Sequence, residues 1–355
     1  MCTRHPLQCF IPPYIMEHLA QSPHQQVRAL AIANLSTGSA FRALRASAQA
    51  MPSLMANKSP DGKKHRLVYD AKGTNTLPGT LVRAEGQKNA GDAATDEAYD
   101  GAGDVYDFYE QLFQRNSLDN KGMSLVSTVH VAEVDFSGAF VPLNNAFWNG
   151  QQMAYGDGDG VVFQRFTRSL EVIGHELTHG VQSFTSNLTY QGQSGALNEH
   201  FADVFGILVR QWKEGISVEQ ADWVIGKELL VPAPTRRGIR DMAQPGTAYK
   251  DDPDLGNDPQ PATMKHLYTG PSDNGGVHIN SGIPNRAFVL TAQALGGNAW
   301  DVAGRIWYET LLQLHSDSQF ADCARISVQV AGNARFGAAA KRAVKAAWKK
   351  VGITV

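Results

Sequence analysis

His175 and His179 stand four residues apart with Glu176 directly after the first, and Glu199 follows twenty residues after the second histidine. On an α-helix, residues four apart share one face with their Cβ atoms roughly 5–6 Å apart. Both imidazoles can therefore reach one ion at the ~2.0–2.1 Å that zinc requires. Glu176, rotated by one residue, can lie beside the metal as the base for a zinc-bound water. The spacing predicts a hydrolytic zinc site with His175, His179 and Glu199 as ligands.

Two apolar patterns predict the helices that carry these ligands. Residues 170–184 have an apolar stripe beside the histidine face, and residues 198–209 form a second stretch that brings up Glu199. Asp203 lies four residues after Glu199 and can accept the free N–H of a liganding histidine, as metal sites usually need. We place Asn198 with Asp203 in this outer layer. A buried polar helix without metal would explain the histidine pair alone, but not this second set on its own helix.

Composition limits the class of protein. The 355 residues are 43% hydrophobic and 19% charged, which is typical of a globular protein with two domains and an appendage. A net charge of −2 favours neither nucleic acid nor an anionic membrane as a partner, and no apolar run approaches the ~18 residues of a membrane span. Cys2, Cys9 and Cys323 cannot form a disulfide framework. The N-terminus lacks the apolar region of a secretory signal, which leaves the cytoplasm or non-classical export.

The order of elements predicts an α+β fold. Strand-like patterns dominate from residue 66 to about 164, apart from a helix around 106–115, and helices dominate after residue 170. We predict a β-rich domain over residues 56–170 and a helical domain over 171–355, with the zinc helix and a substrate cleft between them. Residues 9–15 are predicted to be extended because of their two prolines. Two short helices, around 27–35 and 41–48, and an exposed linker at 57–64 follow.

The chain resembles the thermolysin-like neutral metallopeptidases. The matching segments run in order from about residue 67 to the C-terminus, and they include residues 144–150, 155–160, 195–199 and 273–282 as well as the zinc helix. The resemblance implies a two-domain thermolysin-like fold, one catalytic zinc ion, and protein or peptide substrates. It also implies secretion, and we expect a monomer. An interaction module that only keeps the fold is the competing hypothesis, and the retained Glu176, Tyr190 and His278 argue against it.

The same resemblance implies roles for residues beyond the metal ligands. His278 would hydrogen-bond the oxyanion of the tetrahedral intermediate, with Asp273 orienting its other ring nitrogen. Tyr190 would share this role. His278 could instead be a surface-loop histidine, and a lone tyrosine is ordinarily a core residue.

Substrate-binding residues are also implied by the resemblance. Arg240 would hold a substrate backbone carbonyl, and Asn145 and Ala146 would pair with the substrate backbone along an edge strand. Six apolar residues fall where the family builds the pocket for the residue after the scissile bond, although each taken alone is ordinary core: Phe163, Phe166, Val172, Ile225, Leu229 and Ile239. Such a pocket should take Leu, Phe or Ile.

The chain departs from thermolysin at the double calcium site. The corresponding positions hold Glu171, Arg210, Asp222, Val224 and Lys227, so that two acids are replaced by cations. We expect Arg210 and Lys227 to pair with the remaining carboxylates, and calcium is not expected there.

The N-terminal segment is similar to the short propeptides of protealysin-like members of the family. We therefore interpret residues 1–55 as a propeptide that inhibits the enzyme intramolecularly, with residues 10–14 near the zinc. Pro12 and Pro13 would stiffen this segment and make it a poor substrate. Cys9 is either a thiolate ligand of the zinc or packs within the propeptide.

Overall fold

The computed structural model describes residues 9–35 and 58–355. Its strands are β1 (Arg66–Thr74), β2 (Thr80–Ala84), β3 (Leu125–Val134), β4 (Phe140–Pro142), β5 (Ala146–Trp148), β6 (Met153–Gly156), β7 (Val224–Ile225) and β8 (Arg240–Asp241). The main sheet has the order β2-β1-β3-β6-β5, in which β1, β3 and β6 are parallel, and β4 pairs with β3. β5 has a free edge within this order, and Cys9 pairs with Phe147 there in antiparallel fashion. The N-terminal segment therefore extends the sheet.

Helices build most of the chain after residue 170. They are α1 (Pro13–Leu19), α2 (residues 25–35), α3 (Ala93–Phe113), α4 (Leu170–Ser183), α5 (Gly192–Glu214), α6 (Ser272–Asn280), α7 (Gly282–Leu295), α8 (Val302–Leu311), α9 (Phe320–Ala331) and α10 (Gly337–Lys350). The α+β prediction is confirmed, with a β-rich first half and a helical second half. None of the described helices is long and apolar enough to cross a membrane.

Two glycines let α4 and α5 approach closely. A Cβ atom at Gly174 would lie 3.0 Å from the Cα atom of Gly206, and one at Gly206 would lie 2.4 Å from the carbonyl oxygen of Glu171. The contact at Gly206 leaves no room for a side chain, and a Cβ atom at Gly174 would push the two helices slightly apart. Their close packing brings Glu199 on α5 beside the two histidines on α4.

The predicted extended conformation of residues 9–15 is wrong in its second half. Pro12 is extended (φ −61°, ψ 147°), as expected for a residue before proline, but Pro13 begins α1. Proline suits this first helical position because its φ is preset and no N–H is needed there. α1 then buries Ile15, Met16 and Leu19. The proline pair thus starts a helix.

Some of the other predictions for the N-terminal region can be compared with the structure, and others concern residues that it does not describe. The predicted helix around 27–35 is present as α2. The predicted helix around 41–48 and the predicted propeptide end at residue 55 lie outside the described residues. In the predicted linker, Lys58 pairs with Met123, and the Ser59 N–H donates to the Gly122 carbonyl at 2.9 Å. Residues 58 and 59 are therefore attached to the segment that precedes β3.

Candidate active site

Three side chains converge on one buried point where α4 meets α5. The Nε2 atoms of His175 and His179 are 3.1 Å apart, and the Glu199 carboxylate oxygens lie 3.4 and 3.5 Å from them. Ligand atoms at ~2.0–2.1 Å from a tetrahedral zinc ion stand about 3.4 Å apart. All three side chains are almost completely buried. The donor set and its spacing therefore fit a zinc ion.

Outer hydrogen bonds fix how the two histidines face this point. His175 Nδ1 donates to Asp203 Oδ1 at 2.9 Å, and His179 Nδ1 donates to Asn198 Oδ1 at 2.7 Å. Each Nε2 lone pair is consequently directed inward, as a metal ligand requires. Arg240 binds Asp203 through Nε and Nη2 at 3.0 and 2.9 Å. Burial raises the pKa of Asp203, but Arg240 and His175 outweigh it and lower that pKa to about 2.

The electrostatics favour a cation between these ligands. Burial lowers the pKa of His175, but its hydrogen bonds to Asp203 and Glu199 outweigh burial and raise the pKa to about 9. Burial likewise raises the pKa of Glu199, yet His278 and His179 hold it well below its usual range. Glu199 Oε2 is buried and lies 3.4 Å from His175 Nε2 and 3.6 Å from His278 Nε2. An ionised carboxylate with such an oxygen is suited to bind a metal.

Glu176 lies beside this point on the same helix. One of its oxygens falls with the ring nitrogens of His175 and His179 in a group whose ligand atoms are all within 4.8 Å of one another. Its Oε2 atom accepts a hydrogen bond from the Trp148 backbone N–H at 2.9 Å. The edge strand β5 thereby orients the candidate base. Sequence reasoning did not find this contact, because a backbone donor carries no residue-type signal.

Tyr190 and His278 both lie beside the predicted ligand Glu199. The Tyr190 hydroxyl donates to Glu199 and lies 3.1 Å from His278 Nε2. His278 Nδ1 donates to Asp273 Oδ1 at 2.6 Å, and the His278 backbone N–H donates to Asp273 Oδ2 at 2.7 Å. Residues 273–276 all have left-handed backbone angles, which Asp, Asn and Gly tolerate best. This turn places the Asp273 carboxylate within hydrogen-bond distance of both the ring Nδ1 and the backbone N–H of His278.

The protein's own N-terminal segment lies across the site. Its contacts are His278 Nε2 to the Cys9 carbonyl oxygen (3.0 Å), the Phe10 N–H to the Ala146 carbonyl (3.2 Å), the Ile11 N–H to Asn145 Oδ1 (3.0 Å), and Arg240 Nη1 to the Phe10 carbonyl (3.2 Å). Three residues predicted to bind a substrate backbone, Asn145, Ala146 and Arg240, thus bind this segment. The fourth contact uses the predicted oxyanion residue.

The Phe10 side chain fills the apolar interior next to the histidines. It is fully buried, and its ring meets that of His175 edge-on with centroids 5.3 Å apart. The Arg240 guanidinium lies 4.7 Å from its centre. A Cβ atom on Gly226 would lie 2.7 Å from Ile239 and 3.3 Å from the Phe10 ring. The predicted pocket residues are fully buried in the same core cluster as Phe10: Phe163, Phe166, Val172, Ile225, Leu229 and Ile239.

Cys9 presents its backbone, rather than its thiol, to the site residue His278. Its side chain packs against a small cluster on the sheet formed by Ala71, Val131, Leu143, Phe147 and Ala154. Among the described residues, the cluster of possible ligand atoms around His175, Glu176 and His179 does not include Cys9. The Cys9 side chain thus packs against the sheet, whereas the packing alternative expected contacts within the N-terminal segment.

Two further contacts were not anticipated from the sequence. Asn285 Nδ2 donates to Asp203 Oδ2 at 2.9 Å, which helps to position the outer carboxylate. Asn34 on α2 contacts the segment that leads into β5: its Nδ2 donates to the Pro142 carbonyl at 3.2 Å, and its Oδ1 accepts from the Asn144 N–H at 2.8 Å. Both contacts join an asparagine to a residue far away in the sequence, and no local sequence pattern predicts such a contact.

Ion pairs connect the residues at the positions that correspond to the double calcium site of thermolysin. Arg210 Nη2 lies 2.7 Å from Asp222 Oδ1, and Arg210 Nη1 lies 3.4 Å from Glu171 Oε1. Lys227 is 3.5 Å from Asp222. Glu171 also accepts the Gly226 N–H at 3.2 Å. The guanidinium thus joins α4, α5 and the segment that carries β7.

Comparisons with known proteins agree with this geometry. A family model described as "Thermolysin metallopeptidase, catalytic domain" matches residues 47–183, and "Thermolysin metallopeptidase, alpha-helical domain" matches residues 186–353. An extracellular metalloprotease of Pectobacterium carotovorum subsp. carotovorum is 47% identical over 99% of this chain and 97% of its own. Protease PrtS of Photorhabdus sp. (strain Az29) is 50% identical over 82% of this chain and 77% of its own. The solved precursor of protealysin, a metalloproteinase from Serratia proteamaculans, matches with a TM-score of 0.86 and 44% identity, over 98% of this chain and 100% of its own.

Proposed function

Because this chain belongs to the thermolysin family of metallopeptidases and is a zinc endopeptidase, we propose that it cuts on the N-terminal side of large hydrophobic residues and is held latent by its own N-terminal segment. The observation that supports this most strongly is the register of that segment. The carbonyl of Cys9 faces His278, and the fully buried ring of Phe10 lies beside His175 and Arg240. The Cys9–Phe10 bond therefore marks the position of a scissile bond.

The residues of the site have separate tasks in hydrolysis. His175, His179 and Glu199 would hold the zinc ion, which when bound would supply a Lewis acid able to lower the pKa of a water molecule and to polarise a carbonyl group. Glu176, oriented by the Trp148 N–H, accepts a proton from the attacking water and passes it to the leaving amine.

Charge then develops on the former carbonyl oxygen. Tyr190 and His278 face the position that the Cys9 carbonyl marks, and both can donate hydrogen bonds to that oxygen. Burial lowers the pKa of His278, but Glu199 and Asp273 outweigh burial and raise it. A protonated imidazole is the stronger donor to an oxyanion. Arg240, Asn145 and Ala146 hold the substrate backbone as they hold that of the N-terminal segment.

We expect cleavage on the N-terminal side of Leu, Phe or Ile. Full burial of such a side chain in the pocket now filled by Phe10 is favourable by ~1.5–3 kcal/mol. Mass spectrometry of a digested peptide library measures the preference directly. Peptides in which Leu, Phe and Ile are replaced by other residues serve as the control. Preferred cleavage before Lys, Asp or Gly would refute the pocket assignment.

Cys9→Ser should leave the uncut protein latent. Its thiol packs on the sheet, whereas its carbonyl oxygen makes the contact to His278, and serine retains that carbonyl. The initial rate of peptide hydrolysis by uncut protein checks this, with electrophoresis to show that the chain is intact. Raised basal activity or early self-cleavage would instead favour a thiolate ligand.

Thermal stability should respond weakly to calcium. Arg210 already binds both Glu171 and Asp222, so a divalent cation there would meet a fixed positive charge. Melting curves with and without millimolar calcium test this, with magnesium as the control for ionic strength. A rise of many degrees with calcium alone would show a calcium site that we have not recognised.

A further inference from the structure

His200 follows the predicted zinc ligand Glu199 on α5, and its ring binds side chains of α7 and α8. Its Nε2 atom lies 2.7 Å from the indole Nε1 of Trp307, and its Nδ1 atom lies 2.8 Å from Oδ1 of Asn285. All three side chains of this network are 0% exposed. A buried histidine outside the catalytic set is therefore hydrogen-bonded at both of its ring nitrogens.

The indole of Trp307 fixes the direction of every hydrogen bond in this network. An indole N–H can only donate, so His200 Nε2 accepts and the ring carries its proton on Nδ1. That Nδ1 donates to Asn285 Oδ1, which leaves the amide Nδ2 of Asn285 to bind elsewhere. It donates to Asp203 Oδ2 at 2.9 Å. A flipped amide would instead place its oxygen against the carboxylate, so the two ends of the network require the same orientation of Asn285.

Trp307 is held firmly in the core of the helical part. Its ring stacks on that of Trp348 in α10, with centroids 6.4 Å apart and an angle of 8° between the planes. The ring of Phe288 on α7 meets it edge-on, with centroids 5.1 Å apart. An indole packed on two sides cannot turn its N–H toward another acceptor without repacking its neighbours. Trp307 therefore gives the network a fixed starting point.

The network ends on the carboxylate that orients a predicted zinc ligand. Asp203 Oδ1 accepts from His175 Nδ1 at 2.9 Å. Asp203 Oδ2 accepts from Asn285 Nδ2 at 2.9 Å and from Arg240 Nε at 3.0 Å. Two donors on Oδ2 restrict rotation of the carboxylate and so direct Oδ1 at the imidazole. Loss of the carboxylate partner of a liganding histidine typically lowers metal affinity by ~10–100-fold.

We propose that His200 and Asn285 are positioning residues of the zinc site: fixed by Trp307, they hold the Asp203 carboxylate in the orientation that directs His175 at the metal. This inference rests on the proposed function, because it takes His175 as a zinc ligand. A histidine that merely filled the core would also need hydrogen-bond partners, but its replacement would affect stability and leave zinc binding unchanged. The two interpretations therefore differ in the zinc affinity that they predict.

The zinc Kd of the full-length chain tests the inference. Every sample carries Glu176→Gln so that the chain stays uncut, and the zinc Kd is measured by competition with a chelator. Asn285→Leu should weaken zinc binding about tenfold and His200→Phe about three- to tenfold, because each removes one hydrogen bond of the network. The double variant should bind zinc no more weakly than Asn285→Leu, since His200 acts through Asn285. Independent losses that multiply in the double variant would overturn this order of action.

His200→Asn separates positioning from packing. Its Nδ2 can take the place of His200 Nδ1 and donate to Asn285, whereas the acceptor for the Trp307 N–H is lost in both His200→Asn and His200→Phe. Both variants should therefore melt at a lower temperature, but the zinc Kd of His200→Asn should stay within about twofold of the parent value. Thr291→Val is the control on α7: it removes a buried hydrogen bond to the Ala287 carbonyl and should leave the zinc Kd unchanged.

Cobalt in place of zinc gives a second readout, since its visible absorption depends on the geometry of the ligands. The spectrum should shift in Asn285→Leu and His200→Phe and match the parent spectrum in His200→Asn. Parental zinc affinity in both Asn285→Leu and His200→Phe, or equal losses in His200→Phe and His200→Asn, would overturn the inference. If melting curves show that Asn285→Leu does not fold, the two His200 variants decide.

His175→Ala distinguishes failure of this inference from failure of the proposed function. It removes a predicted ligand and should weaken zinc binding far more than any change in the network. Weak zinc binding by His175→Ala together with parental affinity in the network variants would refute the positioning role alone. Parental zinc affinity in His175→Ala would refute the proposed ligand set, and the positioning role with it.

Discussion

Replacing Glu176 with glutamine should lower kcat/KM for peptide hydrolysis by ~10²–10⁴-fold, the usual cost of losing a general base. The bound zinc should remain at one ion per chain, because the ligands are His175, His179 and Glu199. A glutamine carbonyl can still accept the Trp148 N–H that Glu176 Oε2 accepts at 2.9 Å, so the change removes basicity with little change in position. Hydrolysis of a quenched fluorescent peptide and metal analysis by mass spectrometry measure the two quantities.

The matched control is Glu214→Gln, the same chemical change at the exposed end of α5. Both variants and the parent protein should be compared after identical limited proteolysis, since Glu176→Gln cannot process itself under this mechanism. Near-parental activity of Glu176→Gln with zinc bound would contradict the role of Glu176. Loss of zinc together with activity would instead make Glu176 a ligand.

Phe10→Ala should raise the basal activity of the uncut chain by ~10²-fold or more. Phe10 is fully buried between His175 and Arg240. Truncating a buried phenylalanine typically costs ~3–5 kcal/mol, and each 1.4 kcal/mol is a factor of ten in an equilibrium constant. That cost falls only on the closed state in which the N-terminal segment covers the cleft. Initial rates on protein shown to be uncut measure the effect.

Ile32→Ala provides a control in the same segment, because Ile32 on α2 is 38% exposed and loses little on truncation. It should leave the basal rate within a few-fold of the parent. If Phe10→Ala remains as latent as the parent protein, contacts other than those of the Phe10 side chain hold the segment in the cleft, and burial of Phe10 does not cause the inhibition.

The fold class could be predicted from the sequence because helices and strands follow a local periodicity, and the same periodicity predicts that His175 and His179 share one face of a helix. The four-residue spacing of His175 and His179 sets their geometry on any α-helix, and the apolar stripe of residues 170–184 indicates that helix. The helix predicted at 106–115 was only the end of α3. Its first half is rich in Ala, Gly and Asp and shows little apolar pattern, although Asp92 caps it by accepting the Thr95 N–H.

Contacts between distant segments could not be predicted in this way. Arg240 binds the Phe10 carbonyl across 230 residues, and the Trp148 N–H reaches Glu176 across 28. Such pairs do not produce a periodic pattern in the sequence, because only tertiary packing brings the two residues together. The start of α1 at Pro13 is another case, since the same proline is compatible with an extended chain or with the first residue of a helix.

The most direct test of the account is a zinc titration of the matured, chelator-stripped protein, with peptide hydrolysis and bound zinc measured on the same samples. The account requires that the stripped protein be inactive, and that activity rise in proportion to bound zinc and stop at one ion per chain. Full activity without metal, or activity that appears only with a second equivalent of zinc, would contradict a single zinc ion held by His175, His179 and Glu199 as the centre of catalysis.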